Sequence, residues 1–229
     1  MICAVGVSLA QPVQYAGLPG GDAWLVGDFA TAYEEASQVD SAAAQLLASR
    51  AAADQAVYLE DEAASAIHWL DLADAAARRA LELEPDGPLA AAATMAVARA
   101  KGEAGLHRGA LANTRLPGEL RALFERTLEL DPDNADALVA YGAWHFALTE
   151  IGVGWLYGAN RAEVLPLMER GVAAAPGQLN LRVEYARVLL ALDRTADGRA
   201  QVDLALAMRA VSAADRYEQA RARELLASP

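Results

Sequence analysis

The sequence predicts an all-α protein built from repeated antiparallel helix pairs. Three observations carry this reading. Ala, Leu, Glu and Arg, all strong helix formers, dominate the 229 residues, while glycine and proline number only 17 and 9. No alternating run of β-branched residues is long enough for a strand. Three segments share one punctuation: Ala80-Leu81-Glu82-Leu83-Glu84-Pro85-Asp86, Thr127-Leu128-Glu129-Leu130-Asp131-Pro132-Asp133 and Val172-Ala173-Ala174-Ala175-Pro176-Gly177. Each closes an amphipathic helix, sets proline just past its end and supplies a turn or capping residue for the next.

The elements follow in order. Residues 1–10 are apolar and end in a small residue before Gln11-Pro12, and the first basic residue of the chain is Arg50. Two readings stay open: the tail of a secretory signal without its basic region, which places the protein in the periplasm, or an apolar chain end of a cytoplasmic protein. Residues 11–30, with Pro12, Gly17, Pro19, Gly20 and Gly21, read as loop. Residues 1–30 thus form an N-terminal segment and 31–229 a single helical-repeat domain. Helices are predicted over 41–59, 62–84, 88–104, 117–130, 134–150, 160–175, 178–192, 196–209 and 213–227. Asp133 is the expected N-cap of its helix, with Asp136 in the positive first turn. Asn160 and Glu163 have capping-box spacing, with Pro166 delaying or bending the helix that follows. The mixed polar face of 213–227, with Glu218, Arg221, Arg223 and Glu224, suits a terminal capping helix.

The punctuated segments resemble tetratricopeptide repeats, whose unit of about 34 residues places W-x₂-L-G-x₂-Y on the first helix and A-x₃-F on the second before a closing proline. Leu138-x₂-Tyr141-Gly142-x₂-His145 stands in the first part after Pro132, and Phe124 and Thr127 hold second-helix spacing before it. Ala73, Ala77 and Ala80 do the same before Pro85; Tyr185-Ala186-x₂-Leu189 and then Gly198, Val202 and Ala205 follow Pro176. Leu179–Ser212 has the 34-residue length of one unit. Tryptophan is absent from the opening positions, His145 replaces the usual tyrosine, and the unit after Pro85 fits poorly. The resemblance covers 41–227 and implies a TPR-like α-solenoid of about four units plus a C-terminal capping helix. Closing prolines are 47 and then 44 residues apart, so each interval exceeds one unit. The excess falls at 106–116 and 151–161, equivalent points that a repeat stack brings together. Insertions of this kind are similar to those of a group of bacterial tetratricopeptide-like proteins, of regulator-of-microtubule-dynamics-like proteins, and of the periplasmic T-component of TRAP transporters.

Charge narrows the partners. The net charge is −12, Lys101 is the one lysine and the arginines are scattered singly, which argues against nucleic acid. The acidic clusters at 60–62, 82–86 and 129–136 read as solvated helix ends. One cysteine, Cys3, excludes an intramolecular disulfide. No stretch has the apolar length of a membrane span. Nothing assembles a catalytic or cofactor site: H-E-x-x-H, C-x-x-C and G-x-S-x-G are absent, and Gly152-x-Gly154-x₃-Gly158 lacks the Lys and strand of a phosphate loop. His68, His107 and His145 fall in three different units, and His68 with Asp71 reads as a local hydrogen bond rather than a metal pair. No cofactor is expected.

The expectation is therefore a non-catalytic scaffold that binds a protein or peptide through its concave face and insertion edge. Arginines and aromatics dominate binding energy at interfaces. The candidate partner-binding residues are Arg108, Arg115, Trp144, His145, Trp155, Tyr157, Asn160, Arg161 and Tyr185, with Asn113 beside them on the first insertion. Arg161 and Tyr185 are expected at the surface, and Trp69 in the core. Ile151, Val153, Trp155 and Leu156 either present a binding face or fold back over an apolar edge; Tyr141 and His145 also suit packing. The T-component resemblance implies an alternative, a periplasmic accessory subunit of an uptake system that encloses a small apolar ligand under Ile151–Tyr157.

Overall fold

The computed structural model describes residues 15–109 and 114–227, and among these every regular element is helical. The helices are α1 (Gly21–Val26), α2 (Phe29–Ser37), α3 (Ala42–Tyr58), α4 (Ala63–Leu83), α5 (Ala90–Arg108), α6 (Leu116–Leu130), α7 (Ala135–Glu150), α8 (Gly154–Tyr157), a 3₁₀ turn (Arg161–Glu163), α9 (Val164–Ala174), α10 (Leu179–Ala191), α11 (Thr195–Ala207) and α12 (Ala213–Ala227). The nine helices expected between 41 and 227 are present. The reading of 1–10 and residue Asn113 lie outside the described residues.

The stretch expected as loop is a correction. Gly20 (φ 82°) and Gly27 (φ 99°) adopt left-handed conformations on either side of α1, so glycines that look like loop punctuation are helix brackets. Asp28 then caps α2 by accepting the Thr31 N–H. The cap of α7 is Asn134, one residue beyond the expected Asp133; its side chain accepts the Ala137 N–H at 3.0 Å while Asp131 accepts from the Asn134 side chain. Asn160 accepts the Ala162 N–H and opens the 3₁₀ turn, and the α-helix begins only at Val164, two residues before Pro166.

Neighbouring helices pack on one another, α3 with α4, α4 with α5, α5 with α6, α7 with α9 and α10 with α11. Glycine sets the closeness of α7 and α9. A Cβ on Gly142 would lie 2.5 Å from Met168 Cγ and 2.9 Å from the Val164 carbonyl; one on Gly171 would lie 2.6 Å from Val139 Cγ2. Each helix of the pair therefore offers the other a bare backbone, around which Val139, Val164, Met168 and Leu189 are buried.

The helix at the far end of the sequence returns to the beginning. α12 touches α1 and α3 as well as α10 and α11. Trp24, Phe29, Leu47, Ala213 and Ala214 share one core, against which Tyr58 and Tyr217 pack. The two tyrosine rings stack at 5.0 Å, and the Tyr58 hydroxyl donates to Glu218 Oε1 at 2.6 Å across 160 residues of chain. Fully burying a ring such as Phe29 contributes about 1.5–3 kcal/mol, so this seam holds the two ends together by ordinary core packing. No helix among the described residues is long and apolar enough to cross a membrane.

Candidate functional site

α3 is a 17-residue helix of mostly small apolar residues, buried along most of its length, yet it carries Arg50 and Asp54 one turn apart. Asp54 is 0% exposed. A bare carboxylate there would cost several kcal/mol, so its partners are decisive. Asp54 Oδ2 accepts from Trp24 Nε1 and from Arg50 Nε, both at 2.8 Å, and Oδ1 accepts from Arg99 Nη2 of α5 at 3.1 Å. The Arg50 side chain is only 9% exposed and lies over the Trp24 ring at 5.8 Å. Burial works against its charge, but the Asp54 carboxylate outweighs that and holds the guanidinium ionised. Tyr15 stands edge-on to Trp24, and burial pushes its hydroxyl pKa up.

This cluster borders a cavity of about 120 Å³, lined by Tyr15, Ser49, Arg50 and Arg99 and, from the start of α7, by Asn134 and Asp136. The alanines Ala53, Ala92 and Ala96 on its walls leave the space open.

Further charges continue along the same helices and their counterparts at the other end of the sequence. Glu103, one turn after Arg99 on α5, has its pKa raised by burial, countered by Arg99 and Arg221 and reinforced by Glu184. Those interactions place charges of α5, α10 and α12 around one space. Arg187 pairs with Glu184 at 2.6 Å, and Arg221 with Glu218 at 3.0 Å while covering the Tyr58 ring at 5.5 Å. Arg187 and Arg221 keep about half their side-chain exposure, 46% and 51%, although burial lowers the pKa of both and their carboxylates raise it more.

The residues singled out in the sequence are dispersed around a different edge. The two insertions do meet: the Tyr157 hydroxyl donates to the Thr114 carbonyl at 2.8 Å, and Arg121 Nη1 donates to the Tyr157 carbonyl at 3.1 Å. Trp155 is 79% exposed, with Leu156 and Ile151 also exposed and Val153 partly buried, so the insertion presents its apolar side chains instead of folding them back. Arg108 is engaged with Asp71, the residue expected to pair with His68, and Arg161 with Glu150. Arg115 and Asn160 are exposed; the latter's backbone N–H donates to His145 Nδ1 at 2.9 Å.

Three of the nine face inward. Trp144 is buried and donates its indole N–H to the Pro117 carbonyl at 3.1 Å. His145 is 4% exposed, stacked on Tyr141 at 4.5 Å, and burial lowers its pKa, so the neutral ring accepts from Asn160 as a structural link. Tyr185, expected at the surface, is 5% exposed; its hydroxyl donates to Glu169, and burial followed by that carboxylate pushes its pKa up to about 12. The polar atoms of these three are committed inside the fold. Trp69 packs at the rim of the α3–α4 core, half-buried against Tyr33.

No protein-family model matches this chain, and comparison with curated proteins finds no significant match. The site is thus read from its own chemistry. Among the described residues no group of three or more His, Cys, Asp or Glu side chains is arranged to hold a metal ion.

Sequence reasoning missed Ser49, Arg50, Asp54 and Arg99. A signal was present: an arginine and an aspartate one turn apart within an otherwise apolar helix have no polar face to occupy, so burial as a pair is the remaining arrangement.

Proposed function

We propose that this chain is a non-catalytic TPR-like scaffold that receives a segment of a partner protein on its inner wall, with the insertion edge as an accessory contact. In this reading the units are α3–α4, α5–α6, α7–α9 and α10–α11, with α12 as the capping helix. The observation that carries it is the distribution of the paired charges among the helices. Arg50 and Asp54, Arg99 and Glu103, Glu184 and Arg187 lie on α3, α5 and α10, the first helices of their pairs, and Glu218 and Arg221 lie on α12. First helices line the concave face of a repeat stack, where extended partners are held. Alternating signs along such a wall select a partner by charge register and orientation.

The test is co-purification from native cells with mass spectrometry of the bound proteins. Arg187→Glu on the wall and Arg161→Glu on the edge change exposed groups and leave the core intact. Recovery of a near-stoichiometric partner by the parent, reduced by Arg187→Glu at unchanged helicity, supports the wall as the interface. Equal recovery by both variants would show that neither surface binds it.

The second reading, a small-molecule-binding accessory subunit of an uptake system, is favoured by a different observation from the one expected. Ile151, Trp155 and Leu156 face solvent and do not enclose an apolar ligand, whereas the recess between α3, α5 and α7 sets Ser49, Arg50, Arg99 and Asp136 beside the apolar Leu46, Ala53 and Met95. A metabolite retained in native mass spectra in place of a protein favours this reading.

A further inference from the structure

The cavity at Arg50 holds more hydrogen-bonding capacity than the protein itself uses. Ser49 is 1% exposed and its hydroxyl has no hydrogen-bond partner among the described residues, although a buried hydroxyl normally finds one. Arg50 spends its Nε on Asp54, and neither of its Nη groups meets an acceptor among the described residues. Arg99 likewise commits only Nη2. On the opposite wall Asp136 has no hydrogen-bonding or ion-pair partner among the described residues, while the neighbouring Asn134 amide is already used by Asp131 and the Ala137 N–H. The Tyr15 hydroxyl is a further group without such a partner. One side of the recess therefore offers donors and cations, and the other a carboxylate.

Size and charge define what fits. One water needs roughly 10–15 Å³ of such space, and the cavity offers about 120 Å³, room for a molecule of several heavy atoms. Two planar guanidiniums converging on one carboxylate leave donors suited to a second planar anion. The two arginines are balanced by Asp54 and Asp136, so a doubly charged phosphate would find no surplus of positive charge. A molecule that brings a carboxylate to the arginines and a donor to Asp136 complements both the cationic and the anionic part of the recess.

We propose that this recess binds a small organic acid bearing a hydroxyl or ammonium group, its carboxylate held by Arg50 and Arg99 with Ser49, and its donor group by Asp136. The inference does not depend on the inner wall receiving a protein segment. The site is built into the fold: Asp54 fixes both guanidiniums, and Trp24 fixes Asp54.

The experiment uses the full 229-residue chain, with thermal shift and isothermal calorimetry against millimolar glycolate, L-lactate, L-alanine and L-serine. Propionate, lactamide, ethanolamine and inorganic phosphate serve as comparators. At least one acid bearing a donor group should raise Tm and give a saturable isotherm. Propionate, lacking the donor, and lactamide, lacking the charge, should each bind about tenfold or more weakly. Arg99→Gln should abolish the binding. Because that change also removes a donor from Asp54, Asp136→Asn is the second variant: it breaks no hydrogen bond of the buried cluster, should weaken binding, and should lower the Tm of the free protein by no more than the few degrees a first-turn charge contributes.

Absence of binding by all four acids would overturn the proposal, as would equal binding of lactamide, tighter binding of phosphate, or unchanged affinity in both variants. A short peptide with a free C-terminus that binds while its amide and the small acids do not would also overturn it, and would return the recess to the protein-binding wall.

Discussion

Asp54 is where burial, and not distance, should set the cost of losing an ion pair. The chain contains a natural comparison. Arg50–Asp54 and Arg78–Asp74 are both one helical turn apart, and both join Nε to a carboxylate oxygen at 2.8 Å. They differ in environment: side-chain exposure is 9% and 0% in the first pair, 50% and 27% in the second. Asp54→Ala leaves a buried guanidinium with no compensating charge at its Nε, strands the Trp24 indole N–H, and removes the Arg99 acceptor. Breaking a buried pair in this way costs about 3–5 kcal/mol. For a chain of this size that corresponds to a fall in Tm of roughly 6–20 °C. Asp74→Ala, removing an exposed pair, should cost about 1 kcal/mol or less. Urea unfolding followed by tryptophan fluorescence measures both, and Trp24 reports directly on the Asp54 site. Similar losses for the two variants would refute the argument that Asp54 is the buried keystone of the cluster, as would a loss for Asp54→Ala near that of an exposed pair.

Three other expectations follow from the packing. Gly142→Ala should lower stability by about 1–3 kcal/mol, since its methyl would meet the Val164 carbonyl and Met168, whereas Gly118→Ala on α6, with nothing within 4 Å, should raise it by about 0.4–1 kcal/mol; opposite shifts in Tm are the readout. His145 is held neutral in the folded state with its pKa below the ordinary 6.5, so the unfolded chain binds the extra proton first and stability should decline as the pH falls below that value. His145→Asn, which keeps an acceptor for the Asn160 N–H, should flatten the acid side of a Tm–pH profile, and an unchanged slope there would assign the loss to other groups. Tyr58→Phe removes the donor to the nearly buried Glu218 and should cost about 1.5–3 kcal/mol, with amide exchange rising in α12 and at the end of α3 together.

Helices were legible because their signals are local. Prolines 85, 132 and 176 follow closing helices, and the small Gly142 marks a close helix crossing, as its contacts with α9 bear out. The same local reading failed at 20–30, where glycine brackets a helix as readily as it makes a loop, and only the φ values separate the two. Candidate site residues were chosen for being chemically unusual, and this favoured Trp144, His145 and Tyr185, whose polar atoms are spent inside the fold on Pro117, Asn160 and Glu169. The meeting of the two insertions followed from equivalent positions in neighbouring units and is realised by Tyr157 and Thr114. The Arg50–Asp54–Arg99 cluster joins residues 45 positions apart through a tertiary packing that no local pattern encodes. The contact of α12 with α1 was equally out of reach, because a capping helix and a returning helix share one amphipathic pattern.

That return has an evolutionary side. An open array of helix pairs grows or shrinks by duplication at either end, since each new pair needs only one neighbour. Here α12 already sits against α1 and α3, with Tyr217 on Tyr58 and Ala213 beside Gly27, so these faces are already occupied by one another. Inserting or deleting helices between α1 and α12 would have to preserve those contacts or pull them apart. The seam thereby makes a change of helix number in the middle of the chain felt between residues far apart in sequence.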